Sequence, residues 1–164
     1  MDSTFKNLIS YFKKIASSHV SILHTEENKH FFRFELEEVL TGIKSTINYP
    51  ALILEGYDFA YEDSQSDNLI KNRNGAFILL DHATHPDDFD RIDNIYDEME
   101  EIADDIIAKI KCDKRNIQIP FIVGFDFDKV QGMMIKGADQ TFGMRITFTI
   151  SSPRDITVNQ DKWQ

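Results

Sequence analysis

His82 and His85 stand three residues apart in a corner that also holds Asp81, Asp87 and Asp88. Imidazole and carboxylate together can ligate zinc or manganese. The spacing is not the HExxH pattern of a metal-binding helix, because Pro86 and a strand end separate these residues from the helix that follows. The same residue types also cap helices, and that is the reading favoured here. Asp126 and Asp128 flank Phe127, which puts both carboxylates on one face of a strand and Phe125 with Phe127 on the other. Asp58 can join them from a neighbouring strand. Paired carboxylates hold metals or trade protons, but they more often form the polar face of an amphipathic strand. Cys112 has basic neighbours in Lys111, Lys114 and Arg115, which favour a thiolate. No partner base is evident beside it. The seven glycines are scattered, so no phosphate-cradling loop exists, and there is no nucleophile elbow. The expectation is a protein that is not an enzyme, with no catalytic residue, no cofactor-binding residue and no metal ligand.

The elements that would position these groups centre on residues 75–112. Ala76 to Leu80 is an uninterrupted apolar run between Gly75 and Asp81, the pattern of a strand buried on both faces. After the corner, Phe89, Ile92, Ile95, Tyr96, Met99, Ile102, Ala103, Ile106 and Ile110 recur at steps of three and four. That spacing predicts a helix over 87–111 with one apolar side. Thr84 or His85 would begin it and Pro86 would suit its first turn. The polar run Asp113 to Asn116 would end it.

Elsewhere, Phe5, Leu8, Ile9, Phe12, Ile15 and Ala16 share one face of a predicted helix over 3–18. Residues 30–46 fit a second helix, with Gly42 as a weak point, although Phe32, Phe34 and Leu36 also alternate like a strand. Ala51 to Tyr61 predicts one long strand bent at Gly56. Glu62 to Asn74 reads as a long polar loop, with Asn74-Gly75 as a turn signal. Two more strands are predicted at 125–135 and 144–151, joined by a turn at 137–140, with Ser152-Pro153 ending the second. Residues 153–164 read as an extended tail.

The order of elements predicts an α+β fold: one domain over 1–164, with an antiparallel sheet of about four to five strands and helices on one face. The single cysteine excludes an internal disulfide. No apolar run is long enough to cross a bilayer, and residues 1–14 lack the apolar segment of a secretory signal, so no membrane partner is expected. The formal net charge is −10, which argues against tight binding to a DNA backbone. Between Glu62 and Asp105 there are 14 acidic residues against three basic ones, and such a surface either aids solubility, repels polyanions or meets a basic partner. Leu69 and Ile70, the compact apolar pair of the predicted loop, are the expected assembly contact.

Across roughly residues 3–153 the chain resembles bacteriophage tail terminators and tail-completion proteins. The resemblance rests on an N-terminal helix, on INYPALILEGYDFAYED, on NRNGAFILLDHA leading into the acidic helix, and on the closing pair GFDFDKVQGMMI and FGMRITFTISSP. It implies a structural virion protein that forms a ring, usually a hexamer, without a cofactor. Such a ring caps the tail tube and joins it to the head. Its partners would be other copies of itself, the tail tube protein and the neck or head–tail connector proteins, with double-stranded DNA passing through unbound. Its place would be the virion tail, after assembly in the host cytoplasm. Two other readings stand beside it: a small metal- or ligand-dependent enzyme using the His82–Asp88 corner, and a monomeric adaptor.

Overall fold

Fifteen residues, Asn68–His82, form one strand, β4, and the rest of the sheet is laid against it. The structure, a computed structural model, describes residues 5–43, 46–63, 65, 68–117, 119–155 and 157–163. On one side of β4 lies β6 (Thr141–Asp155), paired along its whole length, and beyond it β5 (Phe125–Lys136). On the other side lie two short strands end to end. β2 (Ala51–Leu54) pairs with Phe77–Leu80, and β3 (Asp58–Asp63) pairs with Leu69–Asn74. β1 (Phe31–Phe32) adds to β2 in parallel; every other pairing is antiparallel.

The fold is α+β, with six strands rather than four to five. The predicted bend at Gly56 is where β2 gives way to β3. The alternation read in residues 144–151 holds as well: Phe142, Met144, Ile146, Phe148 and Ile150 face the main core. That core is closed by α1 (Phe5–Ser18) and α3 (Phe89–Arg115). α3 contributes Ile92, Ile95, Met99, Ile102, Ile106 and Ile110, the side its spacing predicts. Full burial of one such side chain contributes about 1.5–3 kcal/mol. α1 inserts Phe12, whose ring lies 5.4 Å from Phe77 and 5.7 Å from Phe148. Tyr11 on α1 donates to the buried Asp113 of α3 at 2.9 Å and so ties the two helices together. Burial, then the carboxylate beside it, pushes the Tyr11 phenol well above its usual range.

Several expectations are corrected. Residues 30–46 are not one helix. Among the described residues of that span, Phe31–Phe32 form β1 and only Leu36–Thr41 are helical, as α2. The aromatic pair prefers the sheet edge, where Leu52 N donates to His30 O at 2.8 Å. Glu38 reaches back to accept from Glu35 N at 3.0 Å, and Gly42 ends the helix at φ 116°. α2 also breaks the expectation of helices on one face. Its Val39 packs with Ile53, Ile78, Leu80 and Ile135 in a second cluster on the opposite side of the sheet.

Neither Thr84 nor His85 begins α3, and Pro86 lies outside it. Asp88 is its N-cap, accepting from Arg91 N at 3.1 Å. Asp113 does not end the helix either; it is a buried helical residue. Asn74-Gly75 is not a turn but the middle of β4. Gly75 sits opposite Phe148, and a Cβ there would come 2.8 Å from the Phe148 ring. The glycine makes room for a core aromatic. Pro153 does not end β6, which runs on to Asp155 opposite β4. β5 reaches only as far as Ile150, so beyond that point β6 has a free edge, where proline is tolerated. The predicted tail therefore begins within β6, and a 3-10 turn at Gln160–Lys162 follows it.

Candidate functional site

The His82 corner is held by structural bonds. Asp81 accepts from Arg91 Nη2 at 2.8 Å and from His82 N at 2.7 Å, and Asp88 is spent as the helix cap. The His82 ring stacks on Tyr49, and His85 and Asp87 are exposed. Among the described residues, no group of three His, Cys, Asp or Glu stands close enough to hold a metal. Asp126 and Asp128 lie at an irregular stretch of β5. The ladder slips between Asp126 and Gln131, and Asp126 turns back to accept from Asp128 N at 3.1 Å. Phe125 and Phe127 do lie together, their rings 4.9 Å apart. Asp58 lies in register with Asp126, but Asn74 and Thr149 stand between them. Three strand spacings make roughly 14 Å, too far to share a proton or an ion. Cys112 is exposed on α3, with Asn116 Nδ2 at 3.5 Å from its sulfur.

The site that does emerge lies where a loop was expected. The predicted loop 62–74 is largely strand: β3 and the first half of β4 form a hairpin. The last residues of β6 widen it to a three-stranded arm. All six residues of β3 are exposed, so neither face of that strand is covered. Short three-stranded sheets gain most of their stability from a covered apolar face, and this arm lacks one.

Its two faces differ in chemistry, because direct cross-strand partners point the same way. On the face continuous with the main core, Phe59 stands opposite Arg73, Tyr61 opposite Lys71, and Leu69 between Asp63 and Arg154. Phe59 and Tyr61 are both about half exposed and meet edge to face with centroids 5.7 Å apart. The Lys71 ammonium lies 3.7 Å from the Phe59 centroid and 5.4 Å from that of Tyr61. Arg73 is buried beneath them. Its Nη1 donates to Ser152 Oγ at 2.8 Å, and its Nε–H has no partner among the described residues.

The reverse face carries Asp58, Glu62, Asn72 and Asn74. Asn74 donates to Asp58 at 3.1 Å and accepts from Thr149 at 2.9 Å, while Asn72 accepts from Ser151 at 2.7 Å. One face of the arm is therefore aromatic and cationic, and the other anionic and amide-rich.

Leu69 and Ile70, the expected contact pair, are half-buried strand residues on opposite faces of this arm. They do not form a joint apolar tip, since adjacent residues of a strand point apart.

The root of the arm is fixed by charge. Glu55, 4% exposed, follows β2 and accepts from Arg145 Nε at 2.9 Å and Nη2 at 2.8 Å. Glu35 accepts from Gly56 N at 2.9 Å. These groups, with Asp58, Asn74, Lys129, Thr147 and Thr149, line a polar cleft of about 550 Å³ where arm meets body. The alternation that marks the arm is present in the sequence, Asp58–Glu62 against Lys71–Asn74, but its density of Asn, Asp and Ser mimics a loop.

No family model matches the chain, and a search of curated proteins finds none similar to it. Its class rests on architecture alone: an α+β domain bearing a two-faced, uncovered β-arm.

Proposed function

We propose that this protein is a structural assembly component, a ring-forming tail terminator or tail-completion protein of a phage-type tail. In this reading, copies of the chain close a ring, usually of six, on the end of the tail tube. The ring meets tube protein on one side and neck or connector proteins on the other, in the virion tail. The observation that carries it is the arm. A six-residue strand exposed on both faces adds little to its own domain and is suited to docking on another. The acidic excess supports the same reading. A ring that passes double-stranded DNA must not hold its phosphates, and a net charge of −10 offers few cations to do so. The resemblance in order of elements points the same way, and no step of chemistry is assigned to any residue. Native mass spectrometry, followed by electron microscopy of the purified protein alone and mixed with tail tubes, tests the reading. The expected result is a closed ring, free or seated on tube ends. A monomer that neither closes nor caps tubes would sink it.

A further inference from the structure

We infer that the aromatic, cationic face of the arm docks on the outer face of α3 of a second copy of this chain; this rests on the ring reading and names its subunit contact. Asp90, Asp93, Asp97, Glu100, Glu101 and Asp104 are exposed and fall on one side of α3, opposite its buried isoleucines. None of the six has an ion-pair partner among the described residues. From Asp90 to Asp104 the stripe runs roughly 21 Å along the helix. At its N-terminal end stands Phe89, 68% exposed. The arm presents the complement: Lys71 above two half-exposed aromatics, with Arg154 on the same face and one carboxylate, Asp63, at its end, over a six-residue strand of roughly 17 Å. Length matches length, cation meets carboxylate, and the Phe59–Tyr61 pair meets Phe89.

The two surfaces are different patches of one chain. A contact between them is heterologous, the type that closes into a ring when the rotation allows. A second copy is favoured over a different protein because both complementary halves, arm and stripe, are present on every chain. The reverse face of the arm, with Asp58 and Glu62, would repel the same stripe, so charge also selects the orientation.

The test is a charge swap on the full chain. Lys71→Glu should fold as the native chain does by circular dichroism, since Lys71 lies outside the core, and should weaken subunit association at least about tenfold. Tyr61→Ser should weaken it without changing charge. Adding Asp97→Lys and Glu101→Lys to Lys71→Glu should restore assembly. Sedimentation velocity and native mass spectrometry read the result, and raised salt should weaken the native contact. If the native chain forms rings and the three variants form them equally well, this docking is wrong while the ring reading stands. If the swap variant fails to recover, the stripe is not the acceptor and the inference falls. If the native chain stays monomeric even on tail tubes, the inference and the ring reading fall together.

Discussion

Glu55→Gln perturbs the ion pair at the root of the arm. Glu55 is 4% exposed, and both its contacts to Arg145 are under 3 Å. Two unit charges about 3 Å apart attract by roughly 5 kcal/mol at an effective dielectric of about 20. Much of that is offset by the cost of taking the carboxylate out of water. The amide keeps the shape and one acceptor oxygen, and the Arg145 side chain, 25% exposed, can recover some hydration. The expected net loss for Glu55→Gln is therefore about 2 kcal/mol. Arg145→Met is worse, because it leaves Glu55 charged and enclosed, and about 3–5 kcal/mol is expected. For a chain of this size a loss of 3 kcal/mol lowers Tm by about 6–12 °C. The double variant should lose less than the sum of the two, by at least about 1 kcal/mol. Urea unfolding of the four proteins completes the cycle. Losses below about 0.5 kcal/mol that simply add would mean the pair does not hold the arm, and the reasoning fails.

Two further perturbations follow from the core and from a buried histidine. Gly143→Ala would place a Cβ 1.8 Å from the Leu79 carbonyl oxygen, and the next nearest atoms, Leu79 C and Leu80 Cα, are backbone too, so it should cost several kcal/mol or prevent folding. At Gly132 the nearest atom to a new Cβ is Met144 Cε at 3.7 Å, and the matched Gly132→Ala should leave thermal melting almost unchanged; equal behaviour of the two would overturn the packing argument. His24 Nδ1 accepts from His30 N at 3.1 Å and Phe31 N at 3.3 Å, and burial, then Lys13 nearby, lowers the pKa of the imidazole. A folded pKa below the unfolded one means the unfolded chain takes up the proton first, so stability present above about pH 6.5 falls as pH drops through the folded value. His24→Asn keeps an acceptor for the two amides and should flatten that slope below about pH 6.5; an unchanged slope would place the titration elsewhere.

The difference between what was legible and what was not follows residue by residue from where the stabilising contacts lie. α3 was readable because its apolar stripe repeats over about five turns, Ile92 to Ile110, and is buried by one continuous surface. β6 was readable because one face meets the main core and the other is polar for most of its length. The second helix was not, because Phe31 and Phe32 take their conformation from β2, which is twenty residues away in sequence. Gly75 misled for a similar reason, since the glycine answers to the Phe148 ring and not to a turn. The start of α3 was misplaced because Pro86 suits a first turn with Thr84 or His85 before it, whereas the bond from Arg91 N makes Asp88 the cap. Of the candidate site, the corner residues were visible in the sequence but not their use: Asp81 is bound to Arg91, and Asp58 is held apart from Asp126 by two intervening strands.

Most of β3 was legible as strand, but the rest of the arm was missed for a reason that bears on its role. Sequence patterns record burial within one chain, since alternation is strong only where one face is apolar and covered. β3 has no covered face, so the pattern that predicts a strand as far as Tyr61 breaks off at Glu62 and Asp63, and its partner Asn68–Asn74 lacks the contrast that a core imposes. Such a strand still needs a reason to be ordered. Pairing with β4 supplies hydrogen bonds, and the Glu55–Arg145 anchor fixes its root, but neither explains two aromatics left half in water beneath a lysine. An edge of that kind invites pairing with other chains, and charge is the usual means of controlling which chain is accepted. Here Lys71 and Arg154 outnumber Asp63 on the aromatic face while Asp58 and Glu62 lie on the other, so the arm accepts an acidic surface from one direction in preference to the other. Local strand order, weak burial and directional charge thus converge on one physical role, a contact completed by another molecule.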